Sequence, residues 1–213
     1  MSKDQTREED KPSKFSLKKK KIRDVFSNLG ENFLTVEKKN PDYINMRLPA
    51  DKITEDFENT LCNRIGSHGI ELSLREAGEE DIETVIQLYK DSWHTTTMKI
   101  YDLTKDTLRD ILKDPDVVGL IVSEDDVDCG FVLLDFEGPD NQIGKIAGLG
   151  IIPKYQGMGL GTYLAMSAWS YFKKRGIDEI RVEVHKENKI AYNFIKNFGF
   201  EEFVDRDYIS PLK

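Results

Sequence analysis

Apolar residues recur along this chain with two different periods, and the changes of period mark its elements. Over 81–89, Ile82, Val85, Ile86 and Tyr89 fall on one side of an α-helix. Over 104–112, Leu108, Ile111 and Leu112 do the same behind Thr104, whose hydroxyl suits a helix N-cap because it accepts a bond from an N–H that has no helical acceptor. A longer helix is predicted over 159–175 from Leu160, Tyr163, Leu164, Ser167, Ala168 and Tyr171, with Gly176 as its stop. A further helix covers 188–197. Strand character appears at 70–75, 117–123, 130–136, 143–152, 179–184 and 200–207, and the acidic turn 124–128 joins the second and third of these into a hairpin. Mixed order of this kind implies an α/β sheet with both parallel and antiparallel neighbours.

The N-terminal third reads differently. Residues 1–14 have clustered charge and no apolar period, which predicts a disordered tail. Lys18, Lys19, Lys20 and Lys21 continue that character as a solvated face ahead of a small helix at 22–28. Segments 33–37 and 43–48 flank Lys39-Asn40-Pro41-Asp42 and suggest a short hairpin, followed by a helix over 54–64. Residues 15–66 are thus expected to be an extension of unreadable role, ahead of a main domain at 67–213. The length of 213 residues has room for such an arrangement.

Composition narrows the chemistry. No run approaches the roughly 20 apolar residues of a membrane span, and the polar opening lacks an apolar signal core, so the cytoplasm is the expected address. Cys62 and Cys129 stand far apart, and His68, His94 and His185 are scattered, so no metal site is expected. Residues 1–66 hold fourteen Lys and Arg against twelve Asp and Glu, and the rest holds seventeen against twenty-seven. An acidic main domain argues against nucleic acid as its partner and suits a cationic amine.

The segment 153–162, between a strand and the longest helix, carries Gly157, Gly159 and Gly161 on alternate positions. Glycines there let an anion reach backbone N–H groups at a helix start, where the helix dipole also favours negative charge. A phosphate-bearing ligand is therefore expected. The spacing is neither that of a nucleotide P-loop nor that of a dinucleotide-binding turn.

Gln156, Gly159 and Gly161 fill the Q/R-x-x-G-x-G/A pyrophosphate loop of the GNAT acetyltransferase family, which this segment resembles. The family's second motif, N-x-x-A followed by an aromatic-rich helix and G-F, is matched by Asn188, Ala191, Gly199 and Phe200. The likeness is clear from 143 to 203 and extends back to about 70. It implies a mixed, mostly antiparallel central sheet with helices on both faces, and a splayed cleft for acetyl-CoA as co-substrate. It also implies contacts from Leu149, Gly150 and Ile151 to the pantetheine arm, from Gln156, Gly157, Met158, Gly159, Leu160, Gly161 and Thr162 around the pyrophosphate, and from Asn188 on the opposite wall.

Acetyl transfer requires an amine that loses a proton and a thiolate that gains one. By resemblance to the ribosomal-protein N-terminal acetyltransferases of the family, the base falls on Glu183, for which an ion pair with Arg181 is the competing role. The family's usual acid, a tyrosine seven residues after the motif asparagine, is replaced here by Ile195. Tyr192, one turn earlier, is the substitute, with water as the alternative. Trp93 and Tyr101 are expected to wall the acceptor slot, and Asp91 to meet its charge. The expected activity is N-acetylation of a primary amine on a protein or a polyamine, with pairing into a homodimer, an arrangement frequent in the family. The alternatives are a non-catalytic acyl-CoA sensor and a regulatory protein docked through its basic N-terminal segment.

Overall fold

A computed structural model of the chain describes residues 42–66, 71–93, 103–138 and 140–204. Its centre is a pair of strands, β3 (Val117–Glu124) and β4 (Val127–Glu137), buried on both faces over most of their length. Strands covered on both sides have no polar face, which is why these segments read as nearly continuous apolar runs. The turn between them consists of Asp125 and Asp126, both at positive φ (48° and 63°), the two-residue geometry whose twist matches that of paired strands.

Around this pair the sheet is completed by β1 (Tyr43–Pro49), β2 (Leu72–Glu76), β5 (Ile143–Ile151), β6 (Glu179–His185) and β7 (Glu201–Glu202), in the order β2-β3-β4-β5-β6-β1-β7. Among these pairings β5 and β6 are parallel and the others antiparallel. The mixed, mostly antiparallel sheet expected from the sequence is thus present.

Residues 43–66, assigned on sequence to an extension, contribute a strand and a helix to this body. β1 lies between β6 and β7, in register from Tyr43↔His185 to Pro49↔Glu179. The reason is a match of faces, for Ile44, Met46 and Leu48 stand opposite Val184, Val182 and Ile180, and all six turn toward one core. Of the hairpin expected from 33–37 and 43–48, the first arm lies outside the described residues, and the second is β1 with β6 and β7 as its partners. The final strand, expected over 200–207, is two residues long, and 205–207 also lie outside the described residues.

The helices are α1 (Glu55–Gly66), α2 (Ile82–Trp93), α3 (Lys105–Leu112), α4 (Leu160–Arg175) and α5 (Lys189–Asn197). On one face of the sheet α4 closes a core of Met46, Leu48, Leu134, Phe136, Leu164 and Phe172. On the other, α2 and α3 close a second core of Val85, Leu108, Ile111, Ile121, Phe131 and Leu133. Burial of each such side chain contributes about 1.5–3 kcal/mol. α1 packs on α4, where the Glu58 carboxylate accepts bonds from Trp169 Nε1 at 2.9 Å and Lys173 Nζ at 2.7 Å. Thr104 caps α3 by accepting from the Thr107 N–H at 3.2 Å, and Gly176 ends α4 at φ 66°. Among the described residues no helix is long and apolar enough to cross a membrane.

Candidate active site

The site begins with an irregularity in β5. Along β4 the register slips between Leu133 (opposite Gly148) and Leu134 (opposite Ile146), so that Ala147 is an extra residue, a bulge. A bulge bends its strand, and here the bend coincides with the end of pairing to β6. The β5–β6 ladder runs from Ile143↔Glu179 to Ile146↔Val182 and stops. Beyond it β5 keeps its bonds to β4 while its other edge parts from β6, leaving a fork.

Alternate residues of a strand direct their N–H and C=O groups to opposite edges. The Ile152 N–H donates to the Cys129 carbonyl on β4 at 3.0 Å, so Leu149 and Ile151 turn their backbone groups toward the fork and Gly150 turns its own toward β4. Gly150 has a different role: a Cβ there would stand 2.7 Å from Phe131 Cε1 and 2.8 Å from Ser92 Oγ of α2. Its glycine lets α2 approach the strand. Among the described residues the buried Ser92 hydroxyl has no hydrogen-bond partner.

At the end of β5 the chain makes a short turn (Pro153–Tyr155) and enters the glycine segment. The Gln156 side chain donates back to the Ile151 carbonyl at 2.8 Å, which ties the loop to the forked strand. Gly157 and Gly159 adopt φ 78° and 88°, a backbone that L side chains rarely take. Around Gly157 a Cβ would meet nothing within 4 Å among the described residues. Gly159 is the N-cap of α4 and offers no side-chain cap. The first backbone bond back into the helix comes from the Tyr163 N–H to the Gly159 carbonyl at 3.0 Å, so the N–H groups of Leu160, Gly161 and Thr162 have no acceptor within the helix. Leu160 is fully buried, and its side chain belongs to the core. Met158 also packs against that core, and the Phe194 ring of α5 sits 3.2 Å from a Cβ at Gly161.

Glu183 stands where β6 leaves the ladder, one residue past Val182. It shares a face with Glu179, Arg181 and His185, while Ile180, Val182 and Val184 face the α4 side. Lys145 Nζ donates to Glu183 Oε1 at 2.8 Å, and Arg181 Nε donates to Glu179 Oε1 at 2.6 Å. Lys145 in turn stands opposite Asp135 of β4. Burial, and next the charge of Glu137, push the Asp135 carboxyl up to about 7, against an opposing pull from Lys145. Lys145 and Asp135 escaped the sequence reading, because a single charged residue within an apolar strand carries no motif.

The remaining expected residues are dispersed. Asn188 caps α5, its Oδ1 accepting from the Ala191 N–H at 3.0 Å, which leaves its amide NH2 as the donor toward other groups. The Tyr192 hydroxyl donates to Glu202 Oε1 of β7 at 2.6 Å, with Lys196 Nζ 3.5 Å away. β1 separates β7 from β6, so the partner of this phenol stands on a strand two places removed from β6. Ile195 packs against the core under α4. Trp93 lies against Tyr89 and Phe131, with ring centroids 5.0 and 6.1 Å away, at the end of α2 beside the Ser92–Gly150 contact. Asp91 accepts from Gln87 at 2.8 Å. Tyr101 lies outside the described residues.

A strand edge opened by a bulge, followed at once by a helix start rich in undirected N–H groups, characterises this mixed α/β sheet, whose two parallel strands part into an open fork. The chain belongs to the acetyltransferase (GNAT) family, whose model matches residues 65–200. It is 25% identical over 159 residues to spermidine N(1)-acetyltransferase of Thermoplasma acidophilum, covering 67% of this chain and 97% of that protein. It is 34% identical over 77 residues to mycothiol acetyltransferase of Rhodococcus erythropolis, covering 36% of this chain and 26% of that protein, so the chain spans about a quarter of that longer relative. Among solved structures, the PaiA N-acetyltransferase of Thermoplasma acidophilum in complex with coenzyme A superposes with a TM-score of 0.54 at 25% identity, over 60% of this chain and 87% of that one.

Proposed function

We propose that the chain transfers the acetyl group of acetyl-CoA to a primary amine, on a protein N-terminus or lysine or on a small polyamine. The observation that carries this reading is the meeting of three features at the fork. These are the β5 edge at Leu149 and Ile151, the N–H groups at the start of α4, and the Glu183 carboxylate at the vertex. The residues fit acetyl-CoA well. Pantetheine amides are strand-like and match an open strand edge, and a pyrophosphate matches the N–H cluster around Gly157–Thr162. When bound, acetyl-CoA supplies an activated acetyl thioester.

The protein's own part is positioning and proton transfer. Leu149 and Ile151 hold the arm along β5, and the Asn188 NH2 group holds it from the other wall. Glu183 takes the proton that the amine nitrogen sheds as its bond to the acetyl carbon forms. With Tyr192 bonded to Glu202, the proton for the departing sulfur comes from solvent. Trp93 offers an apolar wall to the acceptor, and a cationic acceptor suits the acidic main domain. Spermidine acetylation is named for one relative, and that makes polyamines the first acceptors to try.

Incubating the protein with acetyl-CoA and a panel of polyamines and peptides, followed by product mass spectrometry and thiol detection, tests the proposal. An acetylated amine with matching thiol release supports it. Saturable acetyl-CoA binding without acetylation of any amine in the panel would favour a sensor.

A further inference from the structure

Lys145 is an ammonium in a place where a central strand ordinarily carries an apolar side chain. The residue is 9% exposed, at the shallow limit of the buried residues. Taking a lysine out of water costs several kcal/mol unless opposite charge and hydrogen bonds compensate. Two carboxylates do so here. Glu183 accepts from its Nζ at 2.8 Å across β5 and β6, and Asp135, itself 6% exposed, stands opposite on β4.

The position of this row is informative. Lys145 precedes Ile146, the last β5 residue paired to β6, and Glu183 follows Val182, the last β6 residue paired to β5. The ion pair therefore spans the vertex of the fork. Stability alone is a weak reason for it, because well-packed apolar residues commonly replace buried ion pairs at no loss. Packing does not require a cation at this point, whereas a carboxylate that must stay ionised in a partly dry site does.

Resting on the reading of Glu183 as base, we propose that Lys145 is its positioning residue, holding the carboxylate ionised and aimed into the fork, with Asp135 as the competing counter-ion that moderates the hold. The groups facing this row are Asp135 and Glu137 from β4, Asp114 before β3, Glu179, Arg181 and His185 from β6, and Tyr43, Asn45 and Arg47 from β1, with the Phe203 ring 5.1 Å from the Arg181 guanidinium. A cation at hydrogen-bond distance favours the charged carboxylate by roughly 1–3 pH units.

The test follows the Glu183 carboxyl directly by carbon-13 NMR of glutamate-labelled full-length protein over pH, assigning its signal by its loss in Glu183→Gln. Lys145→Met removes a stabilising cation, so the Glu183 midpoint should rise by about one unit or more, and Lys145→Arg should bring it back. In parallel, kcat/KM for thiol release in Lys145→Met should fall about tenfold more at the acid end of the profile than at the alkaline end, with acetyl-CoA affinity unchanged. Lys145→Gln, which keeps a donor without the charge, repeats the measurement if the Met variant does not fold. A midpoint and profile unmoved in the neutral variants, alongside a slow Glu183→Gln, would overturn the role of Lys145 and leave the base standing. Wild-type turnover by Glu183→Gln would overturn the base and the positioning role together.

Discussion

Apart from Lys145, the two halves of β5 are built from the same kinds of residue, glycine and small or branched apolar side chains, yet they are paired differently. Ile143 to Ile146 are paired on both edges, to β4 and to β6. From the bulge at Ala147 onward the strand is paired to β4, and its second edge faces the fork. The comparison shows that the proposed binding edge is a product of register. One inserted residue converts a closed ladder into a row of backbone donors and acceptors without any polar side chain. The charged side chains gather where the two halves meet, at Lys145 and Glu183, so binding is assigned to backbone and proton chemistry to side chains.

The sharpest way to break this division is to block the backbone part alone. Gly159→Glu places a carboxylate where the pyrophosphate is proposed to sit, and it forces φ 88° on an L residue. Acetyl-CoA affinity in calorimetry should fall by about 100-fold or more, with strain costing about 1–3 kcal/mol of stability. Unchanged affinity would remove the loop from the binding site.

A medium effect is expected far from the fork, where α1 is tied to α4. Hydrogen bonding from Lys173 and then from Trp169 holds the Glu58 carboxyl below its ordinary value near 4.5. A carboxyl lowered in the folded state stabilises the fold above that ordinary value, and the gain disappears as pH falls through the folded value. Glu58→Gln should therefore lower stability by about 1 kcal/mol at neutral pH, with the difference from wild type closing in acid. Denaturant titrations at pH 7 and pH 3 compare the two. A gap that does not narrow at all between pH 7 and pH 3 would show the contact to be independent of charge. Thiol release at neutral pH should not change, which keeps this tie apart from the chemistry.

The smallest effect is expected at Tyr192. With its hydroxyl bonded to Glu202 and turned away from the fork, Tyr192→Phe should alter turnover by less than about twofold, and a loss of one to two orders of magnitude would restore it as the acid.

Much of this was legible in the sequence, and the exceptions have physical causes. Local signals carried well: Thr104 starts its helix and Gly176 ends its own, as read. Long-range choices did not carry. A two-residue period tells which side of β1 is apolar but not that its partner is β6, far along the chain, from Tyr43↔His185 to Pro49↔Glu179. The i, i+3 relation put Tyr192 near Ile195, and both pack against one core, but spacing along the helix did not show that the Tyr192 hydroxyl bonds Glu202 of β7. Lys145 and Glu183 come together through a parallel pairing that leaves no trace in local spacing.

The most direct measurement of the account is turnover by Glu183→Gln at saturating acetyl-CoA, followed as thiol release with the best acceptor. Loss of the base predicts a rate about 100-fold lower, with acetyl-CoA binding retained because the backbone edge and the loop are untouched. A variant that binds acetyl-CoA and releases thiol at the wild-type rate would contradict the assignment of proton transfer to the vertex of the fork.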